Sequence, residues 1–198
     1  MSLRLSGGRK LHSPPGSTAR PTPARVRLAV MNMLAADLPG CCWLDLFSGS
    51  GVMGCEALQR GARAVLAIEQ DRQMAATSRS NLELVAKGLQ LPGDGAPRVQ
   101  VLQQEVLRWL GQQQPSALSA PFGQPFDLIY ADPPYAAGLY GAIAAAVTQG
   151  GWLQPHGLLV MECASNNQPD LSAQLQQGWQ LWKEKRYGTS TVLMLSQS

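Results

Sequence analysis

The chain has 198 residues, of which 45% are hydrophobic and 15% are charged, a composition typical of one globular domain with a sizeable core. It contains no apolar run near the ~20 residues that a membrane helix needs, and no apolar segment near its start that resembles a signal peptide. The four cysteines include no pair with CxxC spacing, which argues against a zinc site or a disulfide framework and favours a reducing compartment. We therefore expect a cytoplasmic protein without a metal ion.

The basic residues are concentrated at the N-terminus. Residues 1–36 contain six basic side chains and no acidic one, whereas the rest of the chain has ten basic and thirteen acidic side chains. A basic segment on a mildly acidic body is typical of proteins that bind nucleic acid, although a disordered tail or an acid-poor targeting peptide has the same composition. We predict a basic N-terminal arm with a helix, residues 1–38, and a larger domain, residues 39–198.

Within the basic arm, residues 4–11 are predicted to form a short strand, and the prolines of Arg20-Pro21-Thr22-Pro23 favour an extended chain. A helix is expected over residues 24–38, with an apolar face that includes Val26 and Val30. Arg25 and Arg27 would lie at its positive end without a nearby acid, and bound phosphate would relieve that conflict.

A glycine motif follows the first strand of the larger domain. Residues 41–47 form an apolar run typical of a buried parallel strand, and Gly49-Ser50-Gly51-Val52-Met53-Gly54 leads from it into a helix that ends near residue 60. A second strand, residues 64–68, ends in Glu69, twenty residues after Gly49. Glycines let the backbone approach a ligand, the helix start supplies free N–H groups, and the acid is placed to accept both hydroxyls of a ribose.

The remaining pattern alternates strands and helices. Helices are predicted over 73–87, after Glu105, and over 139–149 and 171–177; strands are predicted over 99–103, 126–131, 157–163, 180–187 and 189–195. Residues 111–125 have low complexity and no periodicity, and we interpret them as a surface insertion. The pattern predicts a Rossmann-like α/β fold, with a mainly parallel seven-stranded sheet, an antiparallel C-terminal hairpin and helices on both faces.

The fourth strand of the larger domain ends in Asp132-Pro133-Pro134-Tyr135. Two prolines cannot continue a strand, so they form a stiff turn with a carboxylate before it and an aromatic ring after it. Open α/β sheets bind ligands at the carboxyl ends of their strands. A planar base could stack on Tyr135 while its amine donates to Asp132 and to the carbonyl of Pro133. A surface turn with a buried tyrosine is the alternative.

The glycine motif and its acid suit either NAD(P) or S-adenosylmethionine (SAM). An oxidoreductase needs a polarising side chain near the cofactor, and neither His12 nor His156 lies near a predicted strand end in a suitable setting. A methyltransferase needs a group that positions a nucleophile, which Asp132-Pro133-Pro134-Tyr135 supplies. We therefore favour SAM.

These motifs together resemble class I methyltransferases that modify exocyclic amines. The residues that carry the resemblance are Asp45-Leu46-Phe47-Ser48-Gly49-Ser50-Gly51, Glu69 and Asp132-Pro133-Pro134-Tyr135. The arm makes this resemblance more specific, and its matching residues are Gly8-Arg9-Lys10-Leu11, Arg20-Pro21-Thr22 and Arg25-Val26-Arg27. With the arm included, the chain resembles the RsmD family, bacterial methyltransferases of guanine N2 in small-subunit (16S) ribosomal RNA, over residues 7–195.

The resemblance implies a role for each group of residues. Those implied in catalysis are Asp132, Pro133 and Tyr135. Those implied in binding SAM are Asp45, Phe47, Ser48, Gly49, Gly51, Glu69, Gln70, Glu105, Val106 and Asp132. Those implied in binding RNA are Arg9, Lys10, Arg20, Thr22, Arg25 and Arg27. The implied partner is ribosomal RNA or an assembling small ribosomal subunit, bound by a monomer that needs no membrane.

Other functions remain open at this point. A methyltransferase of adenine N6 in DNA or RNA, or of protein glutamine N5, would use a similar amine-binding motif, but both more often have Asn where this chain has Asp132. A non-catalytic RNA-binding relative would keep the arm and lose the SAM pocket. An NAD-dependent oxidoreductase would be distinguished by the cofactor that the purified protein retains.

Overall fold

The computed structural model describes residues 3–13, 23–89, 95–134 and 138–197. Its strands are β1 Cys42–Leu46, β2 Ala64–Glu69, β3 Arg98–Gln103, β4 Phe126–Ala131, β5 Leu153–Ala164, β6 Trp179–Tyr187 and β7 Ser190–Gln197. Its helices are α1 Ala24–Met33, α2 Val52–Gln59, α3 Arg72–Ala86, α4 Val106–Gln112, α5 Tyr140–Gln149 and α6 Ser172–Gln176, with a 3₁₀ turn at Pro115–Ala117. None of the helices in these described parts combines the length and apolarity needed to cross a membrane.

The strands form one seven-stranded sheet in the order β3-β2-β1-β4-β5-β7-β6. The five strands β1 to β5 are parallel, and β7 runs antiparallel to both β5 and β6. The chain order reverses between β1 and β4, which is the topological switch point where open α/β sheets bind ligands. The sheet and its C-terminal hairpin confirm the predicted fold class.

Helices cover both faces of the sheet. One face packs against α1, α2 and α3 in a buried cluster that includes Val26, Leu58 and Leu82. The other face packs against α4 and α5, with Trp109 and Ile143 in its buried cluster. Every residue of β1 is buried, as expected for a central parallel strand covered on both sides.

The basic arm packs on the first of these faces. Leu5 and Leu11 are buried in the same cluster as α1, α2 and α3. The short strand predicted for residues 4–11 is instead a tight turn with a single bridge between Arg4 and Lys10. The reason is local, since Gly8 has φ +84°, a left-handed conformation that reverses the chain after a few residues.

Two other element boundaries differ from the predicted ones by four residues or more. Helix α1 ends at Met33 rather than near Leu38. Leu38 precedes Pro39, and a residue before proline is disfavoured in a helical conformation. Strand β5 begins at Leu153 rather than Gly157, because a register shift opposite Phe126 and Leu128 lets residues before Gly157 join the sheet. The insertion over residues 111–125 contributes Phe122, which is 4% exposed, to the core, and it also buries Pro115.

Candidate active site

The carboxyl ends of the central strands meet at one edge of the sheet. Leu46 of β1 is opposite Ile68 of β2 and Ala131 of β4. The residues that follow these three therefore lie at one level, and they are Phe47, Glu69, which is the last residue of β2, and Asp132. The register thus brings the glycine motif, the predicted ribose acid and the predicted amine-binding turn to the same edge.

The glycine motif forms a tight turn between β1 and α2. Phe47, Gly49 and Gly51 have φ values of +62°, +54° and +75°, so the turn is built from left-handed conformations that favour glycine. A Cβ atom at Gly51 would lie 2.6 Å from Ser78 Oγ, which leaves no room for a side chain. Gly51 is also the residue that precedes the first turn of α2, where free backbone N–H groups are available.

Glu69 holds the glycine turn from the neighbouring strand. Its Oε2 accepts a hydrogen bond from Gly49 N at 2.8 Å, and its Oε1 accepts one from Asp71 N at 2.9 Å. The side chain is only partly buried. Each carboxylate oxygen can accept more than one hydrogen bond, so Glu69 has capacity left for ribose hydroxyls.

Asp45 lies beneath the same turn and is 1% exposed. Its Oδ2 accepts a hydrogen bond from Gly54 N at 3.1 Å. Burial raises the pKa of Asp45 to about 7, the hydrogen bond from Gly54 opposes that rise, and the charge of Glu69 adds to it. The two carboxylates are therefore close enough to influence each other's charge.

Two buried polar residues of α3 support the turn, and sequence reasoning missed them. Ser78 and Asn81 are both 0% exposed. Ser78 Oγ lies 3.3 Å from Ser48 Oγ, and Asn81 Nδ2 donates to the carbonyl oxygen of Ser50 at 2.9 Å. The available signal was their position on the apolar face of α3, where a polar residue needs a hydrogen-bond partner.

The residues predicted near the adenine lie at the next strand end. The carboxylate of Glu105 accepts from Leu107 N at 3.0 Å and from Arg108 N at 2.7 Å, so it caps the N-terminus of α4. Val106 is buried behind it, and Gln70 is exposed after β2. Their contact with a cofactor stays a prediction.

The turn after β4 presents Asp132 as a partly buried carboxylate and Pro133 as a buried residue. Behind it, Tyr130 is stacked on Trp43 with ring centroids 5.9 Å apart, and its hydroxyl donates to Glu162 Oε2 at 2.8 Å. Burial raises the pKa of Tyr130 well above its ordinary value, and the charges of Glu162 and Asp132 add to that rise. Tyr135 lies outside the described residues.

The arm places its predicted RNA-binding residues in different settings. Lys10 and Arg25 are exposed. Arg9 is partly buried, with Nη1 3.4 Å from the carbonyl oxygen of Val85 at the end of α3, where a cation is favourable. Arg20 and Thr22 lie outside the described residues.

Arg27 requires a correction. It is 5% exposed, its Nε lies 3.6 Å from Glu56 Oε1, and its Nη2 donates to the carbonyl oxygen of Arg4 at 2.7 Å. The interpretation that no acid compensates this arginine is therefore wrong, because the fully buried Glu56 does so. A buried side chain cannot contact a phosphate at the surface, and we assign Arg27 to the attachment of the arm instead.

A separate polar cleft lies at the opposite edge of the sheet, between Asp37, Arg63 and His156. It contains none of the predicted site residues, and its Asp127 accepts a hydrogen bond from Cys42 N at 2.7 Å. Within the described parts of the chain, no three His, Cys, Asp or Glu side chains converge to hold a metal ion. The carboxyl edge is therefore the candidate active site.

Two comparisons with known proteins match nearly the whole chain. The family model described as "Conserved hypothetical protein 95" matches residues 5–196. The "Ribosomal RNA small subunit methyltransferase D" of Escherichia coli strain K12 is 31% identical over 191 residues, which cover 94% of this chain and 85% of the relative.

Solved structures show the same fold. The "Putative methyltransferase yhhF from Escherichia coli" superposes with a TM-score of 0.77 at 27% identity, over 100% of this chain and 99% of the other. The T. thermophilus "16S rRNA N2 G1207 methyltransferase (RsmC) in complex with AdoMet and Guanosine" has a TM-score of 0.67 at 21% identity, over 100% of this chain and 50% of the other. The latter likeness shows the fold alone.

Proposed function

The chain belongs to the RsmD family of methyltransferases, and from this premise we propose that it transfers a methyl group from SAM to the exocyclic N2 amine of a guanine in 16S ribosomal RNA. The partner would be ribosomal RNA or an assembling small subunit. We further propose that the protein acts in the cytoplasm as a monomer.

The glycine turn and the two carboxylates beside it fit SAM. The side-chain-free backbone at Gly49 and Gly51 would lie against the methionine portion, and Glu69 would accept from the ribose hydroxyls. Asp45 would act from beneath by fixing Gly54 N. Glu105 would lie near the adenine while it caps α4, with Phe47, Ser48, Gln70 and Val106 around the cofactor. When bound, SAM supplies an electrophilic methyl group on a sulfonium.

The observation that carries the proposal is the position of Asp132 one strand away from the glycine turn. The register between β1 and β4 aligns Asp132 with Phe47 at the carboxyl edge. A carboxylate beside a SAM site would accept hydrogen bonds from the amine that receives the methyl group. The buried Tyr130 before it and Pro133 after it, whose ring fixes φ, make the backbone that carries this carboxylate rigid.

The chemistry that we propose for Asp132 is electrostatic. The N2 lone pair of guanine is delocalised into the ring, so the amine is a poor nucleophile. Hydrogen bonds from N2–H to Asp132 and to the Pro133 carbonyl would favour a tetrahedral nitrogen with its lone pair aimed at the methyl group. As the new N–C bond forms, the methyl–sulfur bond would break and leave a neutral thioether, so positive charge would pass from sulfur to N2. A fixed carboxylate would then stabilise the transition state more than the ground state, and the N2 proton would leave to Asp132 or to solvent. Tyr135 would stack on the extruded base.

The basic arm would hold the RNA by its phosphates. We propose residues 1–38 as the docking segment, with Lys10 and Arg25 as exposed contacts and Arg9, Arg20 and Thr22 beside them. Contacts with phosphates fix the position of the protein on the RNA, but they do not distinguish one base from another. Recognition of the target guanine would then rest on the turn after β4.

Single-turnover methyl transfer by an Asp132→Ala variant tests the proposal. The rate on small-subunit ribosomal RNA should fall at least ~100-fold, the size expected for loss of one preorganised electrostatic group, while SAM affinity stays within about twofold by calorimetry. Glu83→Ala, which removes an exposed acid of α3 outside the arm, is the matched control. Near-normal turnover of Asp132→Ala would overturn the assignment.

A further inference from the structure

The edge strand β6 carries an unusual combination of exposed side chains. Trp182 is 52% exposed and Leu181 is 43% exposed, although large apolar residues on an edge strand invite unwanted pairing. The same strand carries three basic residues, Lys183, Lys185 and Arg186. Leu181 and Trp182 are adjacent, and clustered exposed apolar side chains mark interaction sites more often than scattered ones do.

A bulge turns Trp182 outward. Leu181 is opposite Leu195 of β7, and the next paired residue, Lys183, is opposite Met194. Trp182 is therefore the extra residue that the ladder does not pair. Lys183 Nζ lies 5.1 Å from the centre of the Trp182 ring, a cation–π contact that orients the indole and covers one of its faces.

Among the residues that the structure describes, the basic side chains of β6 are not neutralised by acidic side chains, so they can bind an anion. Glu184, its one acid, accepts a hydrogen bond from Gln168 Nε2 at 3.1 Å. Within the described parts of the chain, the cations of β6 form no ion pair, in contrast to Arg27 and Arg60, which both pair with Glu56. Lys183 and Lys185 lie on one face of the strand and Arg186, opposite Thr191, lies on the other. Cations without an ion pair near an exposed indole are typical of a surface for single-stranded nucleic acid.

The surface is continuous with the basic arm. Lys183 and Lys185 are opposite Met194 and Val192, whose side chains lie on the face of the sheet that α1 covers. A Cβ atom at Gly188, in the turn after β6, would lie 3.0 Å from Arg25 Nη2. The hairpin turn thus meets the start of α1, and Arg25 joins the cations of β6 to the arm.

We propose that β6 and Arg25 form a second RNA-docking surface, on which the cations bind phosphates and Trp182 stacks on an unpaired base outside the target nucleotide. The surface rests on the proposed function, since it assigns further ribosomal RNA contacts to the same enzyme. Lysines on an edge strand also prevent pairing with other strands, but that role would not require an exposed indole.

Three β6 variants test this surface on a small-subunit ribosomal RNA transcript over a salt series. Trp182→Ala should weaken binding about tenfold through loss of stacking, and Trp182→Phe should restore part of it. The triple variant Lys183→Ala/Lys185→Ala/Arg186→Ala should reduce the slope of log K against log salt by roughly 0.7 for each lost phosphate contact on a single strand. SAM affinity and thermal stability should be unchanged.

Matched controls are available elsewhere on the molecule. Leu84→Ala removes an apolar side chain of α3 that is 42% exposed. Arg98→Ala/Arg108→Ala removes exposed cations on edge strand β3 and on α4.

If the wild type binds and methylates RNA but the β6 variants match these controls, the second surface is overturned alone. A wild type that neither binds nor methylates small-subunit ribosomal RNA or assembling subunits overturns the proposed function as well. If Trp182→Ala changes the sedimentation of the protein and leaves RNA binding intact, β6 is a contact between copies of the chain and the proposal is wrong.

Discussion

Asn81 pairs with the backbone of His12 through both atoms of its side-chain amide. Its Oδ1 accepts from His12 N at 2.7 Å, and its Nδ2 donates to His12 O at 3.0 Å. The same Nδ2 donates to Ser50 O in the glycine turn. One buried side chain therefore links the basic arm to the proposed SAM site.

Asn81→Ala should loosen both segments that this amide holds. It leaves backbone groups of His12 and Ser50 without their partner, and each buried unsatisfied group costs about 1–3 kcal/mol. We expect a lower free energy of unfolding in urea and weaker SAM binding by calorimetry. Ser80→Ala, an exposed position on the same helix, is the control. If Asn81→Ala bound SAM as tightly as the wild type, the amide would support only the arm.

Glu69→Ala should raise the SAM dissociation constant roughly tenfold or more, because charge-assisted hydrogen bonds to ribose are lost. The hydrogen bonds to Gly49 N and Asp71 N are lost as well, so stability must be measured beside affinity. Glu83→Ala, an exposed acid of α3, is the comparison. An unchanged dissociation constant would remove Glu69 from the site.

Arg25 and Arg27 stand two residues apart and should respond differently to replacement by alanine. Arg27→Ala breaks a buried pair with Glu56, so we expect unfolding to become easier by about 3 kcal/mol. Arg25→Ala removes an exposed side chain and should change stability by less than ~0.5 kcal/mol. It should instead flatten the salt dependence of RNA binding. Equal effects of the two variants on stability would contradict the burial that separates them.

Asp45 should make the stability of the protein depend on pH. Its pKa rises from 3.8 to about 7 in the folded state through burial, so between pH 4 and pH 7 the folded chain binds more protons than the unfolded one. The free energy of unfolding should therefore fall as the pH rises through this window and level off above it. Asp45→Asn keeps an acceptor for Gly54 N and should remove that decline, as followed by urea denaturation at several pH values. A wild type and variant with parallel pH profiles would be the contrary result.

The sequence predicted the sheet well because periodicity reports burial directly. The strand Phe126–Ala131 has its predicted bounds, since an apolar run that ends at two prolines leaves little freedom. Positions that depend on distant partners were not predictable. Arg27 reads as a surface cation until Glu56 from another helix is placed against it, and Glu105 shows its role as a helix cap only once α4 is present.

The same limit applies to the candidate site. Gly49, Gly51, Glu69 and Asp132 could be placed at one edge, because they follow strands whose order the fold class fixes. Ser78 and Asn81 reach the glycine turn from the middle of α3, and no spacing rule connects them to it. Edge-strand β6 was expected as half of a hairpin, while the bulge that exposes Trp182 depends on its register with β7.

The most direct test of the account is the chemical identity of the methylated product. Small-subunit ribosomal RNA and assembling subunits are incubated with the enzyme and methyl-labelled SAM, digested to nucleosides, and separated. The account predicts that the label is found in N2-methylguanosine and that Asp132→Ala loses it while still binding SAM. Label in N6-methyladenosine or in protein glutamine, or no transfer to either substrate, would contradict the assignment of guanine N2 as the acceptor.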